Sequence, residues 1–73
     1  MSSDFHYEIS ISWSDEDGCF IAVVPELPGC MADGPTYRES LAAAEDAIRL
    51  WIETATELGR EVPKPRGAHR LLA

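Results

Sequence analysis

The sequence has few of the features that mark metal sites, secreted proteins and membrane proteins. Its two cysteines, Cys19 and Cys30, do not form a CxxC pair and have no histidine cluster beside them. A zinc or redox motif is therefore not supported, and two free thiols in a reducing cytoplasm are the simpler interpretation. Residues 1–11 have no basic start followed by an apolar run, and no stretch of about 18 apolar residues occurs. We expect a cytoplasmic protein without an export signal or a membrane span.

Motifs for nucleotide binding and catalysis are also missing. The glycines are scattered at predicted turns and do not form a phosphate-binding loop. His6 lies on the polar side of a predicted strand and His69 lies near the C terminus, and neither has a neighbouring nucleophile or a ligand spacing. We therefore expect no enzyme activity, no cofactor and no catalytic residues.

An acidic run at Asp15, Glu16 and Asp17 could suggest a metal site. A calcium loop would need oxygen ligands where Trp13 and Val24 stand, so the run does not fit that pattern. We expect no metal and interpret the run as the solvated tip of a hairpin.

Positive charge is scarce over most of the chain. The formal net charge is -7, and residues 1–57 contain twelve acidic and two basic residues, whereas residues 58–73 contain one acidic and four basic residues. An acidic body repels phosphate backbones and attracts basic surfaces. We therefore expect no direct nucleic-acid binding, and a basic protein as partner.

The first half of the chain predicts strands. Residues 5–13 alternate between apolar and polar side chains, which is the period of a strand with one solvated face. Gly18 in the following turn can take the positive φ that a short hairpin loop demands. Residues 19–24 are apolar at every position and predict a second strand that needs cover on both faces. Residues 30–32 predict a brief third strand.

A long helix is predicted over residues 37–58. Thr36 and Glu39 fit a capping box at its start, and Gly59 is the expected stop. Residues 61–62 could add a short edge strand, and residues 66–73 resemble a flexible tail. The apolar stripe of the helix comprises Tyr37, Leu41, Ala44, Ile48, Trp51, Ala55 and Leu58.

These elements predict an α+β fold of two layers, in which a three- to four-stranded antiparallel sheet packs on one long helix in the order β-β-β-α-β. The domain would comprise residues 1–65 and the tail residues 66–73. One helix covers only one face of such a sheet, yet the second strand places apolar side chains on both faces. We therefore expect a homo-oligomer formed through the open face or through a sheet edge.

Several unusual elements in order resemble the HicB-like antitoxin family over residues 7–65. They are the segment DGCFIAVVPELPGC at residues 17–30, the turn of small residues before the capped helix, the helix sequence EDAIRLW at residues 45–51, and Gly59 followed by a Pro-Lys-Pro exit. The resemblance implies a fold similar to a partial ribonuclease H domain without a working nuclease centre. It also implies an antitoxin that binds a small basic HicA-type toxin, an mRNA-cleaving protein, and covers its active surface.

Many members of this family carry a C-terminal helix-turn-helix or ribbon-helix-helix segment that binds operator DNA. The sequence ends at Ala73. We therefore expect a stand-alone domain of the N-terminal HicB type that lacks the DNA-binding segment.

The partner-binding residues predicted from charge are Asp15, Glu16, Asp17 and Glu26, whose carboxylates would compete with RNA phosphate for a cationic toxin surface. Leu27 stands between two prolines, which either end the second strand or present Leu27 as a rigid contact. Both interpretations of Leu27 stay open at this point.

Two other functions remain as alternatives. One is a solitary regulatory or scaffold module that binds another protein without a toxin partner, and the other is a minimal RNA-processing enzyme with a ribonuclease H-like fold. Trp51 could anchor a partner, but its place in the helix stripe favours a core role.

Overall fold

A computed structural model describes residues 6–65 of the chain. Three strands, β1 (Ser10–Ser14), β2 (Cys19–Val23) and β3 (Met31–Gly34), precede one helix, α1 (Tyr37–Glu57). The strands form an antiparallel sheet in the order β1-β2-β3. The predicted α+β arrangement of a sheet followed by one long helix is thus confirmed. The predicted tail at residues 66–73 lies outside the described residues, and the boundary at residue 65 stays a prediction.

Strands β1 and β2 form the predicted hairpin. Ser10 pairs with Val23 and Ser14 with Cys19. In the turn, Gly18 has a φ of 65°, and its amide donates to the Ser14 carbonyl at 2.8 Å. Strand pairing starts at Ser10, whereas the alternation predicted a strand from residue 5. Residues 6–9 have no strand structure.

Strand β3 is later and longer than the predicted residues 30–32. Met31 pairs with Val23 and Gly34 pairs with Phe20, so the chain remains extended through the small residues that were assigned to a turn. The loop before β3 closes through three backbone bonds, from Val24 to Cys30, from Leu27 to Val24 and from Cys30 to Leu27, at 2.9 to 3.1 Å. This tight loop turns Leu27 towards the helix.

The predicted start and end of α1 are confirmed to within one residue. Thr36 is the N-cap, and its hydroxyl oxygen accepts from the Glu39 amide at 3.1 Å while the hydroxyl donates to the Glu39 carboxylate at 3.3 Å. At the other end, Gly59 has a φ of 74°, and the Arg60 amide donates to the Ala55 carbonyl at 2.8 Å. The Thr36 half of the predicted capping box is therefore confirmed, whereas the Glu39 carboxylate accepts from the Thr36 hydroxyl and not from a backbone amide.

The core lies between the middle of α1, strand β2 and the loop that follows it. Its buried members are Tyr7, Val24, Leu27, Cys30 and Ile48, with Ile9, Ala47, Trp51 and Ile52 packed against them. The ends of the predicted helix stripe are not buried, since Tyr37 is 60% and Leu58 63% exposed. A helix of 21 residues is about 32 Å long, whereas a strand of five residues spans about 17 Å. The helix therefore extends beyond the sheet at its C-terminal end, whereas Tyr37 at the other end still packs on Phe20 of β2.

The start of α1 approaches β3 closely at Gly34. A Cβ atom at this position would lie 2.6 Å from the Ser40 amide nitrogen and 2.9 Å from the Glu39 carbonyl carbon. Ser40 is completely buried there, and its hydroxyl donates to the Tyr37 carbonyl at 2.9 Å. The absence of a side chain at Gly34 thus lets the helix backbone rest directly on the strand.

The prediction of a short strand at residues 61–62 is wrong, because residues 60–65 have no strand structure. This segment is fixed differently: the Tyr7 hydroxyl donates to the Pro63 carbonyl, across 56 positions of sequence. A side-chain bond to one carbonyl therefore replaces the ladder that the Glu-Val pair suggested.

Candidate functional site

The acidic tip, defined as Asp15, Glu16 and Asp17, is exposed at the turn of the β1–β2 hairpin. Asp15 accepts from the Trp13 indole nitrogen at 2.7 Å, and Asp17 accepts from the Ser14 hydroxyl at 3.0 Å. These bonds use one oxygen of each carboxylate, and an ionised carboxylate can accept about four hydrogen bonds. The tip therefore presents fixed negative charge with capacity for donors from a basic partner.

Glu26 lies at the other end of β2, in the loop that precedes β3. Burial raises the pKa of the Tyr7 hydroxyl, and the negative charge of the nearby Glu26 carboxylate raises this pKa further. Tyr7 therefore stays a neutral donor to the Pro63 carbonyl, and this bond joins the segment before β1 to the segment after α1.

The predicted partner-binding residues do not form one cluster. The acidic tip and Glu26 lie at opposite ends of β2, which is about 17 Å long at the rise of an extended chain. Leu27 is completely buried in the core, so its side chain offers no surface to a partner. The interpretation of Leu27 as a presented contact is corrected accordingly, because the loop bonds direct this side chain inward.

The sheet face away from α1, here called the open face, carries apolar side chains in the middle. Register places Ser10, Val23 and Met31 in one row and Ser12, Ile21 and Asp33 in the next. Val23 is 38% and Met31 56% exposed, and Ile21 is half-buried. The two-sided apolar character predicted for the second strand is thus confirmed within the described residues.

Cys19 lies on the open face near two carboxylates. Partial burial raises the pKa of its thiol, and the charges of Asp33 and Asp17 raise it further. Burial also raises the pKa of the Cys30 thiol, which lies in the core. Because thiolates are the reactive form, a raised pKa makes both cysteines less reactive than ordinary thiols, and burial shields Cys30 as well.

We predict that iodoacetamide labels Cys19 before Cys30 in the folded chain, and that Asp33→Asn accelerates labelling of Cys19. Removing a nearby negative charge lowers the thiol pKa, so a larger fraction is thiolate at a fixed pH near 8. Mass spectrometry of tryptic peptides over time measures both rates. Glu53→Gln removes the same charge from the exposed side of α1 and should leave the rate unchanged. Equal labelling of both cysteines under native conditions would contradict this assignment.

An apolar groove of about 590 Å³ runs along the C-terminal half of α1. Trp51 lies in its wall, packs against the core and donates from its indole nitrogen to the Pro28 carbonyl at 2.9 Å. The core role predicted for Trp51 is therefore only part of its contribution, since it also fixes the loop to the helix. Exposed apolar side chains of Met31, Leu50 and Leu58 also line the groove, together with the polar residues Thr54, Arg60 and Glu61.

The described part of the chain contains neither a metal-binding cluster nor a membrane-spanning helix. Among residues 6–65, no three His, Cys, Asp or Glu side chains are grouped so that they could hold a metal ion. Within these residues, α1 is too polar to cross a membrane, and no other helix is present.

A family model described as "HicB_like antitoxin of bacterial toxin-antitoxin system" matches residues 7–73. The chain belongs to the HicB-like antitoxin family. The resemblance carried by residues 17–30 and by the capped helix is thereby confirmed. The matched span includes all three strands and α1, so the acidic tip, the open face and the groove are surfaces of a HicB-like domain.

Relatives of this HicB-like chain come from archaea and bacteria. It is 40% identical over 50 residues to UPF0150 protein Ta0767 of Thermoplasma acidophilum. The aligned residues make up 68% of this chain and 72% of the relative. It is 38% identical over 47 residues to UPF0150 protein ssl0259 of Synechocystis, and the aligned residues make up 64% of each chain. It is 45% identical over 38 residues to a UPF0150 protein of Helicobacter pylori, about half of each chain. No solved structure matches this sequence.

Sequence reasoning missed two features of this HicB-like domain. The groove was not predicted. Two of its lining residues gave a possible signal, since Leu50 is an apolar helix residue outside the predicted stripe and Met31 is an apolar residue of the predicted third strand. The bond from Tyr7 to Pro63 joins residues far apart in sequence and left no local signal.

Proposed function

We propose that this chain is an antitoxin-like protein that binds a small basic mRNA-cleaving toxin of the HicA type and occludes its RNA-binding surface. The observation that carries the proposal is the exposed acidic tip on an acidic domain of the HicB-like antitoxin family. The role is binding rather than catalysis. A basic toxin surface that holds RNA phosphates has the charge that these carboxylates complement.

The rigidity of the acidic tip supports this role. Bonds from Trp13 and Ser14 hold two of the carboxylates in place before a partner arrives. A preorganised contact loses less conformational entropy on binding than a flexible one. The net charge of -7 would also speed the encounter with a cationic toxin.

Glu26 belongs to the proposal as a second, separate contact. It lies at the opposite end of β2 from the acidic tip, so a toxin that touched both would have to span the length of β2, about 17 Å. Leu27 is excluded from direct contact by its burial and would act only by shaping the loop that carries Glu26.

A toxin-independent protein-binding module is the second candidate. The apolar groove beside Trp51 favours it, because apolar lining offers burial to a partner without requiring opposite charge. Binding through the groove would depend weakly on salt, whereas binding through the acidic tip would weaken as salt rises. A short open reading frame encoding a basic protein beside this one would favour the antitoxin role.

The test of the antitoxin role is neutralisation of the acidic tip by Asp15→Asn, Glu16→Gln and Asp17→Asn together. These changes remove three charges but keep side-chain oxygens that can accept from Trp13 and Ser14. Against a purified basic toxin of the HicA type, we expect association at low salt to slow by roughly tenfold and its salt dependence to flatten. Stopped-flow fluorescence at several salt concentrations measures both quantities.

A matched control removes three charges elsewhere. Glu45→Gln, Glu53→Gln and Glu57→Gln lie on the exposed side of α1 and change the net charge equally. They should alter association far less than the changes at the tip. Equal slowing by both triple variants would show that only net charge matters, and unchanged association in the tip variant would refute the electrostatic contact.

A further inference from the structure

Strand β1 is an edge of the sheet without the usual protection against pairing. Within residues 6–65 its one strand neighbour is β2, so half of its backbone donors and acceptors point away from the sheet. Edge strands are normally guarded by charge, proline or a bulge. The sequence of β1, Ser-Ile-Ser-Trp-Ser, contains none of the guarding residues.

The other edge, β3, is guarded. It includes Asp33 and is followed by a proline at position 35. The helix also packs mainly on β3 and then on β2, and it hardly reaches β1. The unprotected edge and the uncovered end of the sheet therefore coincide at β1.

Side chains on the helix side of β1 show the effect of this offset. Trp13 is 52% exposed and Ile11 is only half-buried. Trp13 contacts Phe20 edge-on at 5.0 Å between ring centroids, and Phe20 stacks on Tyr37 at 4.3 Å. This row of rings ends at the open edge with its outermost member uncovered.

We propose that β1 pairs with β1 of a second copy of this chain, antiparallel and centred on Ser12, so that two sheets join into one of six strands. A two-fold axis perpendicular to the sheet keeps both helices on the same side and places residues of like face opposite each other. Centring on Ser12 uses all five residues of β1. Ser10 then faces Ser14, and Ile11 faces Trp13 of the second copy.

This register suits both faces of the joined sheet. On the helix side, each Trp13 gains Ile11 of the second copy as an apolar neighbour, which covers the end of the ring row. On the open side, only the serines of β1 face one another. Beyond the five paired residues, Glu8 of one copy comes towards Glu16 of the other, which adds to the repulsion between the copies. The pairing thus covers the apolar surface that α1 leaves exposed.

Charge makes this association distinguishable from toxin binding. Two copies with a net charge of -7 repel each other, so added salt should strengthen the pairing. A complex with a basic toxin would weaken under the same conditions. The proposal does not rest on the antitoxin role, and its test uses the purified full chain alone.

Disulfide trapping tests the register. All variants carry Cys19→Ser, which leaves the buried Cys30 as the remaining native thiol. Ser12 would face itself, with Cα atoms about 4.5–5.5 Å apart, inside the range for a disulfide. In the same register, two copies of residue 10 would be about 13 Å apart and could not be bridged. Under mild oxidation, Ser12→Cys should form a covalent dimer and Ser10→Cys should not.

A mixture of Ser10→Cys and Ser14→Cys chains should also cross-link, because these residues face each other in the proposed register. Bands on a non-reducing gel report each result. Cross-linking of Ser12→Cys and Ser10→Cys at equal rates would indicate random oxidation and would overturn the register, as would the absence of cross-linking in every variant.

A charge at the centre tests the interface without oxidation. Ser12→Lys places two lysines opposite each other and should raise the dimer dissociation constant at least about tenfold, even though it lowers the overall repulsion. Met31→Lys places the same charge on β3 and should have little effect. Sedimentation velocity at raised salt measures both. A monomeric wild-type chain at high micromolar concentration, or dissociation by Met31→Lys alone, would overturn the proposal.

Discussion

Leu27→Ala should destabilise the domain by roughly 2–5 kcal/mol, because it empties a leucine-sized volume in a closed core. Leu27 is completely buried and belongs to one cluster with Tyr7, Val24 and Ile48. A domain of this size rarely has more than about 3–5 kcal/mol of stability, so the variant would be largely unfolded at 25 °C. Urea denaturation followed by circular dichroism measures the free energy of unfolding.

Two further variants make this result interpretable. Leu27→Met keeps the volume and should cost less than about 1.5 kcal/mol, so it reports on the site even if the alanine variant does not fold. Leu50→Ala makes the same truncation on the surface of α1, where Leu50 is 63% exposed, and should change stability by about 0.5 kcal/mol or less. Similar effects of Leu27→Ala and Leu50→Ala would contradict the burial of Leu27 and restore its interpretation as a surface contact.

Local features of the sequence were sufficient to predict the elements of the fold. The turn before Cys19 carries Gly18 where a positive φ is needed, and Thr36 with Glu39 marks the first turn of α1. Each of these signals depends on a few adjacent residues. The hairpin and both ends of the helix were therefore predictable without knowledge of the tertiary structure.

Features that depend on the relative lengths of distant elements were not predictable in this way. The stripe from Tyr37 to Leu58 was only partly correct: Leu58 is exposed because α1 extends past the sheet at its C-terminal end, and Leu41 is 38% exposed although it lies within the stripe. Ser40 was absent from the stripe because it is polar, although the small residue at Gly34 lets it be buried. Period shows which side of a helix faces inward, but only the partner element determines how much of that side is covered.

The candidate site also contains one part that was predictable from local sequence and one part that was not. The acidic tip was predictable, because charged residues in a hairpin turn have no route to the core. Leu27 was not, since prolines on both sides are equally consistent with a loop that presents the residue and with one that buries it. Three backbone bonds within the loop decide between these alternatives.

One hairpin carries both surfaces that the proposals use. The acidic tip lies at the turn, and the unprotected edge of β1 leads directly into it. In the proposed dimer, the two tips would lie at opposite ends of the joined strands, because the strands run antiparallel. Two toxins could then be bound by one dimer without competing for the same place. The start of α1 packs on β3 at Gly34, and β3 in turn pairs with β2 of this hairpin.

Gly34→Ala should destabilise the domain by about 1–3 kcal/mol, the usual cost of overpacking, and lower the melting temperature by about 4–8 °C for each kcal/mol. The added methyl group would meet the backbone of Glu39 and Ser40 at 2.6 to 3.0 Å, so α1 must move away from β3. Where a glycine has ordinary φ and free space, alanine instead stabilises by about 0.4–1 kcal/mol. The sign of the change in thermal unfolding therefore tests the close approach directly.

Gly18 provides the contrast that separates crowding from backbone conformation. Its φ is 65° and a Cβ atom there would have nothing within 4 Å, so Gly18→Ala should cost about 1–2 kcal/mol through conformation alone. Asparagine tolerates positive φ, so Gly18→Asn should recover most of that loss. Gly34→Asn should be no better than Gly34→Ala, because any Cβ meets the same backbone atoms. Recovery by asparagine at Gly34 would mean that conformation rather than contact requires glycine there, and the helix would not rest on the strand as described.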